Sequence, residues 1–495
     1  MLFWPIKQHF LFFCLVFRSI CIIFAVAFRS NRGVAQLVAL LVWDQAVARS
    51  SRVAPTKKTE LQHRDSVFFC FMKIQNPILR LALPSVVTNI TVPLLGLVDA
   101  TIVGHMGRAE YIGAIAIGTT IFNMVYWIFG FLRMGTTGIV SQAHGAGDDQ
   151  AIRDGLLRSL LLGLFISLCL LLLQTPLLRF AMWLMQPEKE VATYATEYFR
   201  VCIWGAPAMM ASYSLTGWFI GMQDTRTPMR MAILQNLVNI LLTTIFVFLL
   251  HMGVAGVALG TVLGLYTGIA ATPLLSHRGG RRILGILQAK QNAVRSGKSL
   301  FTLHFSLFLR TLCLVAVTVY FTSAGSRLGS IYLDANALLM QFFIVFSYFT
   351  DGLANAAEAF SGEYTGRGDR VGLRSVIRSL FLWGLGLAIV FTLFYAAAGS
   401  WILSLLTNQQ AVLTTARDYL PWLVAVPFVS FAAFVWDGVY IGMTMARRMF
   451  LAMFIAAIVF FAVWFLFGPT NHILWLAFLS YLATRSLAQT LFFPR

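Results

Sequence analysis

The segment TGWFIGMQDTR (216–226) and the segment DGVYIGMTMAR (437–447) follow one pattern of glycine, methionine and arginine. When the two segments are aligned, every matched position lies 221 residues from its counterpart. The identical pairs include Gly217 and Gly438, Gly221 and Gly442, Met222 and Met443, and Arg226 and Arg447. This constant offset indicates that the chain contains an internal repeat, and the repeat decides the fold.

The same offset relates residues far from these two segments. The further pairs are Tyr111 and Tyr332, Ala114 and Ala335, Gly145 and Gly366, Gly147 and Gly368, Asp148 and Asp369, and Tyr198 and Tyr419. Convergence of membrane-helix composition would not keep charged loop residues in register. We therefore expect two homologous halves of six helices each. Because six is even, both halves cross the membrane in the same direction, so they should be related by an axis along the membrane normal with a cavity between them.

Composition identifies the class of protein. Of the 495 residues, 59% are hydrophobic and 11% are charged, whereas soluble domains carry about 25% charged residues. Apolar runs of about 20 residues recur along the chain, and each is long enough to cross a bilayer as a helix. Barrel strands would be shorter and would alternate apolar with polar residues.

The sequence therefore predicts an all-α integral membrane protein with twelve transmembrane helices in two six-helix bundles related by pseudo-two-fold symmetry. The expected spans are 79–103, 111–140, 155–178, 191–221, 229–250, 254–276, 300–324, 332–362, 372–398, 412–444, 448–467 and 472–492. Helices 1–6 form an N-lobe (72–276), helices 7–12 form a C-lobe (300–495), and a basic cytoplasmic linker (277–299) joins them.

The net charge of +18 is distributed as a topology signal. Arginine and lysine concentrate in alternate connections between the apolar runs, and positively charged loops stay in the cytoplasm. We therefore expect an inner-membrane protein with both termini in the cytoplasm and no nucleic-acid partner. The six cysteines are scattered in apolar stretches without the spacing of a metal site, and we expect neither disulfides nor a bound metal or other cofactor.

Residues 1–71 differ from the rest of the chain. The stretch RGVAQLVALLVWDQAVARSSRVAPTKK (32–58) resembles the peptide produced when a transfer-RNA gene is translated by mistake, whereas Met72 opens a natural membrane-protein start. We expect residues 1–71 to be a non-native extension from a mis-assigned start. The alternative is a signal peptide or an additional helix at 10–28, although no small-residue cleavage site follows that run.

Seven ionisable residues stand out inside the predicted spans, where a charge costs at least about 2.5–3.5 kcal/mol and is by default a functional candidate. They are Asp99, Arg133, Arg310, Asp351, Glu358, Asp437 and Arg485. A carboxyl group withdrawn from water favours its neutral form, so it can bind a proton on one side of the membrane and release it on the other. The structural alternative is that these acids and arginines only pair with each other. A membrane-embedded enzyme is the competing class, but no HxxxH, P-loop or GxSxG motif is present.

Five ordered motifs carry a resemblance to a known family. They are NITVPLLGLVDATIVGHMG (89–107), FLRMGTTGIVSQAHGAGD (131–148), GMQDTRTPM (221–229), DGLANAAEAFSGEYTGRGD (351–369) and DGVYIGMT (437–444). Together they resemble the MATE (multidrug and toxic compound extrusion) efflux transporters, specifically the DinF-like branch. The resemblance implies two lobes in a V shape and secondary active efflux of organic cations or other toxic amphiphiles in exchange for protons or sodium. We expect the protein to be a monomer.

The resemblance also implies a binding site for the proton and the substrate. Asp99 matches the family's carboxylate in helix 1, and Asn239 and Thr261 match the polar residues that accompany it. The family commonly has a second aspartate where this chain has Thr243, which favours proton coupling through Asp99 over a sodium site. The closest rival is a flippase for lipid-linked saccharides, which would use cationic residues such as Arg133 and Arg310 to bind pyrophosphate.

A start at Met72 has a direct test. If translation begins there, mass spectrometry of digested membranes will detect peptides from residue 72 onward and none from 1–71. Detection of a peptide from the stretch at 32–58 would contradict the prediction.

Overall fold

The structure is a computed structural model that describes residues 57–106, 108–276 and 297–494. The predicted extension therefore lies largely outside the described residues, as does most of the predicted linker 277–299. Residues 57–71 are helical and continue without a break into the first span.

Twelve helical stretches, numbered α1 to α12, follow one another through the described part of the chain. They are α1 (Lys57–Gly104), α2 (Ala109–Phe129 and Phe131–Ala146), α3 (Asp149–Leu172 and Gln174–Met185), α4 (Lys189–Cys202, Ile203–Gly205 and Ala206–Gly221), α5 (Arg226–Thr244 and Ile245–Leu249), α6 (Gly253–Leu275), α7 (Gly297–Leu328), α8 (Ser330–Gly366), α9 (Arg370–Leu406), α10 (Gln410–Gly442), α11 (Ala446–Phe467) and α12 (Asn471–Phe492).

The prediction of an all-helical protein with twelve spans is confirmed. Among the described residues, nine helical stretches are long and apolar enough to cross a membrane by composition alone. The other three, α1, α4 and α12, also occupy predicted spans. One difference from prediction is in α3, which was expected to run unbroken over 155–178. Its helix ends at Leu172 and a second one starts at Gln174, because the ring of Pro176 displaces the carbonyl four residues earlier.

The internal repeat is visible in the helix boundaries. Shifting α8, α9 and α10 back by 221 residues superimposes their ends on those of α2, α3 and α4, to within one residue. The backbone of the turns repeats as well. Gly147 and Gly368 have φ angles of 69° and 70°, and the non-glycine residues Gln223 and Thr444 have φ angles of 60° and 55°. Two turns with left-handed residues at matching positions show that the halves share one local geometry.

Helix capping explains why α3 and α9 begin at matching positions. The carboxylate of Asp148 accepts hydrogen bonds from the backbone N–H groups of Gln150 (3.0 Å) and Ala151 (2.9 Å). The carboxylate of Asp369 accepts one from the N–H of Gly372 (2.8 Å). An acidic N-cap satisfies donors that have no partner within the helix, so each aspartate fixes the first turn of its helix.

The two lobes differ in the continuity of their helices. In the N-lobe, α2 is interrupted at Gly130, α3 at Leu173 and α4 by a 3₁₀ turn at Ile203–Gly205. Their counterparts α8, α9 and α10 are continuous over 37, 37 and 33 residues. The two halves therefore share the positions at which these helices begin and end, but only the C-lobe helices are continuous.

The lobes meet at one end of the molecule, which we call the basic end. It is formed by the turns 147–148, 222–225, 367–369 and 443–445 and the arginines beside them. One hydrophobic core combines α1 and α2 with α8 and α10 near this end, including Ile78, Leu132 and Leu353. Towards the opposite end the N-lobe packs into a core of its own, and most of the C-lobe forms another.

Contacts at the basic end are reciprocal. Gly145 of α2 lies against the backbone of Glu363, and Gly366 of α8 lies against the backbone of Gln142. The two contacts exchange residues related by the offset of 221, as a two-fold axis requires. Both lie at the same end of the molecule, so the axis runs along the membrane normal, as the sequence predicts.

Glycine permits close helix packing inside each lobe as well, and this gives a prediction. A Cβ atom at Gly438 in α10 would collide with the carbonyl oxygen of Ala354 in α8. We expect Gly438→Ala to destabilise the protein by roughly 1–3 kcal/mol and to lower its unfolding midpoint in detergent. The control is Gly386→Ala in α9, where a Cβ atom meets nothing within 4 Å. Equal midpoints for the two variants would contradict the packing argument.

Candidate functional site

A polar seam runs between α5 and α6 in the N-lobe. Three α5 residues spaced four apart, Gln235, Asn239 and Thr243, face three α6 glycines spaced four apart. The contacts pair Gln235 with Gly268, Asn239 with Gly264 and Thr243 with Gly260. Small residues let two membrane helices approach closely, so the glycines bring the α5 side chains against the α6 backbone.

The predicted partners Asn239 and Thr261 meet in this seam. The Nδ2 atom of Asn239 donates to the Thr261 hydroxyl at 2.9 Å, and Thr261 donates in turn to the carbonyl of Val257. The Oδ1 atom of Asn239 and the hydroxyl of Thr243 are buried without a hydrogen-bond partner among the described residues. Buried acceptors without partners are costly, so the seam holds oxygen atoms available to bind a donor.

Asp99 lies in α1 at the same depth as the end of the seam farther from the basic end. The Nδ2 atom of Asn236 in α5 donates to the carbonyl of Thr91 in α1 at 3.1 Å. Both helices run in the same direction and rise about 1.5 Å per residue, so Asp99 is level with Thr243 and Thr244.

The Asp99 carboxyl group is isolated from other charges. Its Oδ1 atom is buried without a hydrogen-bond partner in the part of the chain that the structure describes. Within the same ranges no ion pair involves it. Its electrostatic neighbours are the uncharged side chains of Tyr198 and Cys202 in α4. Asp99 is thus a carboxyl group without a counter-ion in the interior of the N-lobe.

Arg133 and Glu358 form an ion pair between the lobes. Arg133 of α2 donates from Nη1 to Glu358 Oε2 at 3.1 Å and from Nη2 to Glu358 Oε1 at 3.3 Å. Its Nη1 atom also donates to the Oδ1 atom of Asn355 at 3.0 Å. Bidentate pairs of this kind fix geometry as well as charge. Glu358 is buried, so this pair holds α2 against α8 near the basic end.

A second ionic cluster lies entirely within the C-lobe. Asp437 of α10 accepts on Oδ2 from both Arg310 of α7 and Arg485 of α12. Its Oδ1 atom accepts from Gln489 Nε2 at 2.6 Å. All four side chains are buried. The alternative considered from the sequence, that acids and arginines pair within a bundle, therefore describes Asp437, Arg310 and Arg485.

Asp351 is exposed, in contrast to Glu358 on the same face of α8. Seven residues separate the two, so Asp351 lies about 10 Å farther from the basic end. Its carboxylate is within electrostatic range of Arg133, Asp437, Arg310 and Arg485, yet it is accessible to water. The face of α8 that α2 covers at Glu358 therefore opens between the lobes at Asp351.

The intramembrane charges of the C-lobe side are balanced. Three arginines (Arg133, Arg310 and Arg485) face three acids (Asp351, Glu358 and Asp437), and Asp99 stands apart from them. Within the described ranges, no group of three or more histidine, cysteine or acidic residues is arranged to hold a metal ion. Of these four acids, Glu358 and Asp437 are paired with arginines, whereas Asp351 and Asp99 have no ion pair among the described residues.

Two side chains of these ionic clusters were not predicted from the sequence, and both are uncharged amides close to a charged residue. Gln489 lies four residues after Arg485 on α12, and Asn355 lies three residues before Glu358 on α8. Helical spacing places each amide on the same face as its charged neighbour. An amide three or four residues from an intramembrane charge could therefore have indicated these two residues in the sequence.

Comparison with known proteins identifies the family to which the chain belongs. The family model described as MatE matches residues 84–245 and 306–466, which cover both repeats. The chain belongs to the MATE family. MATE proteins are transporters, so this chain is a multi-pass membrane transporter of small molecules and not an enzyme.

Individual relatives agree with the family match. The MATE chain is 36% identical to the DNA damage-inducible protein F of Escherichia coli K12 over 82% of its own length and 89% of the relative's. It is 26% identical to a probable multidrug resistance protein, NorM, of Thermotoga maritima over 62% of its length and 66% of the relative's. A MATE structure described as outward-facing covers 84% of this chain and 94% of its own, with a TM-score of 0.70 and 17% identity, which supports the fold.

The C-lobe cluster gives a stability prediction. Asp437→Asn leaves Arg310 and Arg485 buried without a counter-ion, which typically costs about 3–5 kcal/mol. We expect a lower unfolding midpoint and a lower yield of folded protein in detergent. The matched control is Asp351→Asn, because the same change at an exposed carboxylate should shift stability by about 0.5 kcal/mol or less. Equal losses for both variants would show that the cluster does not stabilise the lobe.

Proposed function

We propose that this MATE transporter exports cationic amphiphiles in exchange for protons, and that Asp99 binds the proton. The supporting observation is the isolation of the Asp99 carboxyl group, whose Oδ1 atom is buried without a partner. The Oδ1 atom of an ionised Asp99 has no counter-ion and no hydrogen-bond donor among the described residues to stabilise it. It is stabilised by gaining a proton or by the approach of a cationic substrate, so the two ligands compete for one group.

The other intramembrane acids are less suited to this exchange. Glu358 and Asp437 are committed to arginines, and a proton on either would leave a buried guanidinium without its partner. Asp351 is exposed to water, so its ionised form can be solvated and does not depend on a proton or a substrate for stabilisation. We assign Asp351 to the wall of the cavity, where a carboxylate attracts cations, and Asp99 to coupling.

Sodium coupling is less well supported. A sodium ion is bound by several oxygen ligands, preferably including carboxylates, and the N-lobe seam provides Asn239, Thr243 and Thr261 as neutral oxygens with Asp99 as the single acid. A proton needs only that one carboxyl group. The exchange therefore draws on the proton gradient and requires no bound cofactor.

The orientation of the chain in the membrane follows from its arginines. Basic loops remain in the cytoplasm, so we place the basic end there, with both termini, in the inner membrane of the cell. Because the lobes touch at the basic end, the structure then corresponds to a conformation open to the outside. Because one chain contains both lobes, we propose that the monomer is the unit that transports the substrate.

The names of the relatives support an export function. The relative from Thermotoga maritima is called a probable multidrug resistance protein, and the relative from Escherichia coli is called DNA damage-inducible protein F. A flippase for lipid-linked saccharides would need free cationic groups to bind pyrophosphate. Arg133 and Arg310, the candidates for that role, each bind a carboxylate in the structure, so the multidrug proposal is better supported.

The test of this proposal is proton-driven export by proteoliposomes. We expect Asp99→Asn to reduce exchange of a fluorescent organic cation against a pH gradient to the level of protein-free liposomes. Asparagine keeps the size of the side chain and removes only its proton exchange. Asp99→Glu, which restores a carboxyl group, should recover measurable exchange.

Two further variants locate the coupling residue. Asp351→Asn should weaken binding of the cation but leave proton-driven exchange detectable, and Glu358→Gln should have a smaller effect than Asp99→Asn. Exchange at the wild-type rate by Asp99→Asn, at equal reconstitution, would remove Asp99 from coupling. Loss of exchange in Asp351→Asn alone would move the site to the C-lobe.

A further inference from the structure

Among the described residues, the glutamine side chains Gln142 and Gln223 form hydrogen bonds between the lobes at the basic end. Gln142 near the end of α2 donates from Nε2 to the carbonyl oxygen of Gly442 at 2.9 Å and to the hydroxyl of Thr444 at 3.1 Å. Gln223 in the turn after α4 donates from Nε2 to the carboxylate of Glu363 near the end of α8. Each lobe thus extends one side chain into a turn of the other.

The two contacts are related by the internal repeat. Gln142 and Glu363 occupy equivalent positions, since they differ by 221, and so do Gln223 and Thr444. In both contacts, the penultimate turn of the second helix of one repeat binds the turn after the fourth helix of the other. Duplication alone would preserve the turns within each lobe. It would not by itself preserve two hydrogen-bonding contacts between lobes after the side chains had diverged to glutamine, glutamate and threonine.

The backbone at these turns is also unusual. Gln223 and Thr444 both have left-handed φ angles, of 60° and 55°, a region that favours glycine over residues with a Cβ atom. Strained backbone persists where the surrounding structure holds it, and it is frequent at switch regions. In both turns the strained residue itself makes the contact with the opposite lobe.

Glycines bring the backbones close enough for these contacts. Gly145 and Gly366 lie against the backbone of Glu363 and of Gln142, so the residues that bear the contacting side chains are themselves packed across the interface. The polar contacts therefore form only when the lobes are fully together, and a small separation breaks all of them.

We propose that the Gln142 contact with Gly442 and Thr444 and the Gln223 contact with Glu363 form a two-part latch that keeps the basic end closed. This inference rests on the proposed function in one respect, because an alternating-access transporter must open this end in each cycle. The latch is released when the lobes separate, and the equilibrium between the two conformations depends on it.

The latch predicts a specific change in conformation. Removing both contacts in Gln142→Ala/Gln223→Ala eliminates hydrogen bonds made only in the closed state, so the open state gains population. From the usual strength of such bonds, we expect the ratio of open to closed molecules at the basic end to rise roughly tenfold. Each single variant should raise this ratio by less. The two changes in the free energy between the open and closed states should add, because the two contacts share no residue.

The change is measured as a distance between the lobes. Arg153 of α3 and Arg374 of α9 are exposed at the basic end and are equivalent positions of the two repeats. Spin labels at Arg153→Cys and Arg374→Cys, in the full chain with its six cysteines replaced, report the separation by pulsed electron paramagnetic resonance in lipid nanodiscs. We expect the double variant to show a larger population at long distance than the labelled parent.

The control is Gln150→Ala, which removes an exposed glutamine at the same end outside the two contacts, and its distances should match those of the parent. An unchanged distance distribution in the double variant would overturn the latch. If the double variant does not fold, Gln142→Ala and Gln223→Ala are measured singly, and unchanged distances in both would overturn it equally. The measurement needs no substrate, so failure of the latch is distinguishable from failure of the proposed drug and proton exchange.

Discussion

A charge inside a bilayer has no water to stabilise it, so the protein must supply a partner or leave the group to bind one from outside. This constraint accounts for the arrangement of the intramembrane ions. Asp437 neutralises two arginines within the C-lobe, and Glu358 binds Arg133 across the interface. Because Glu358 and Asp437 are paired with arginines among the described residues, Asp99, which has no ion pair there, is the carboxyl group that we propose responds to protons and substrate.

The two repeats share a scaffold but not their chemistry. At the offset of 221, Asp99 corresponds to Tyr320 and Asp437 to Thr216, while Glu358 corresponds to Thr137. The glycines at crossings and the aspartates at N-caps are retained in both halves. Packing positions are constrained by the backbone of a neighbouring helix, whereas a charged side chain needs only one partner, so the charges could diverge while the fold was kept.

Much of the fold could be predicted from the sequence, because apolar runs and loop arginines directly reflect the solvent around each segment. The shared face of Asp351 and Glu358 also follows from their spacing of seven. Their different environments could not be predicted, since they depend on how far α2 covers α8. The pairing of Asp437 with Arg310 and Arg485 was equally inaccessible, because it requires the relative rotation of α7, α10 and α12. The seam at Asn239 and Thr261 was reached through family resemblance rather than through periodicity.

The interruptions in α2, α3 and α4 make the helices of the N-lobe easier to bend than their counterparts in the C-lobe. A helix interrupted by a glycine or by a short 3₁₀ turn bends more easily than a continuous one, because part of its ladder of backbone hydrogen bonds is missing. The N-lobe is therefore more easily bent at these three positions, whereas α8 and α9 of the C-lobe are unbroken helices about 55 Å long. The third counterpart, α10, is continuous but contains Pro421 and Pro427. The carboxyl group of Asp99 lies in the half that contains these interruptions, so under the proposed exchange its binding of a proton or a cation would act where the helices bend most easily.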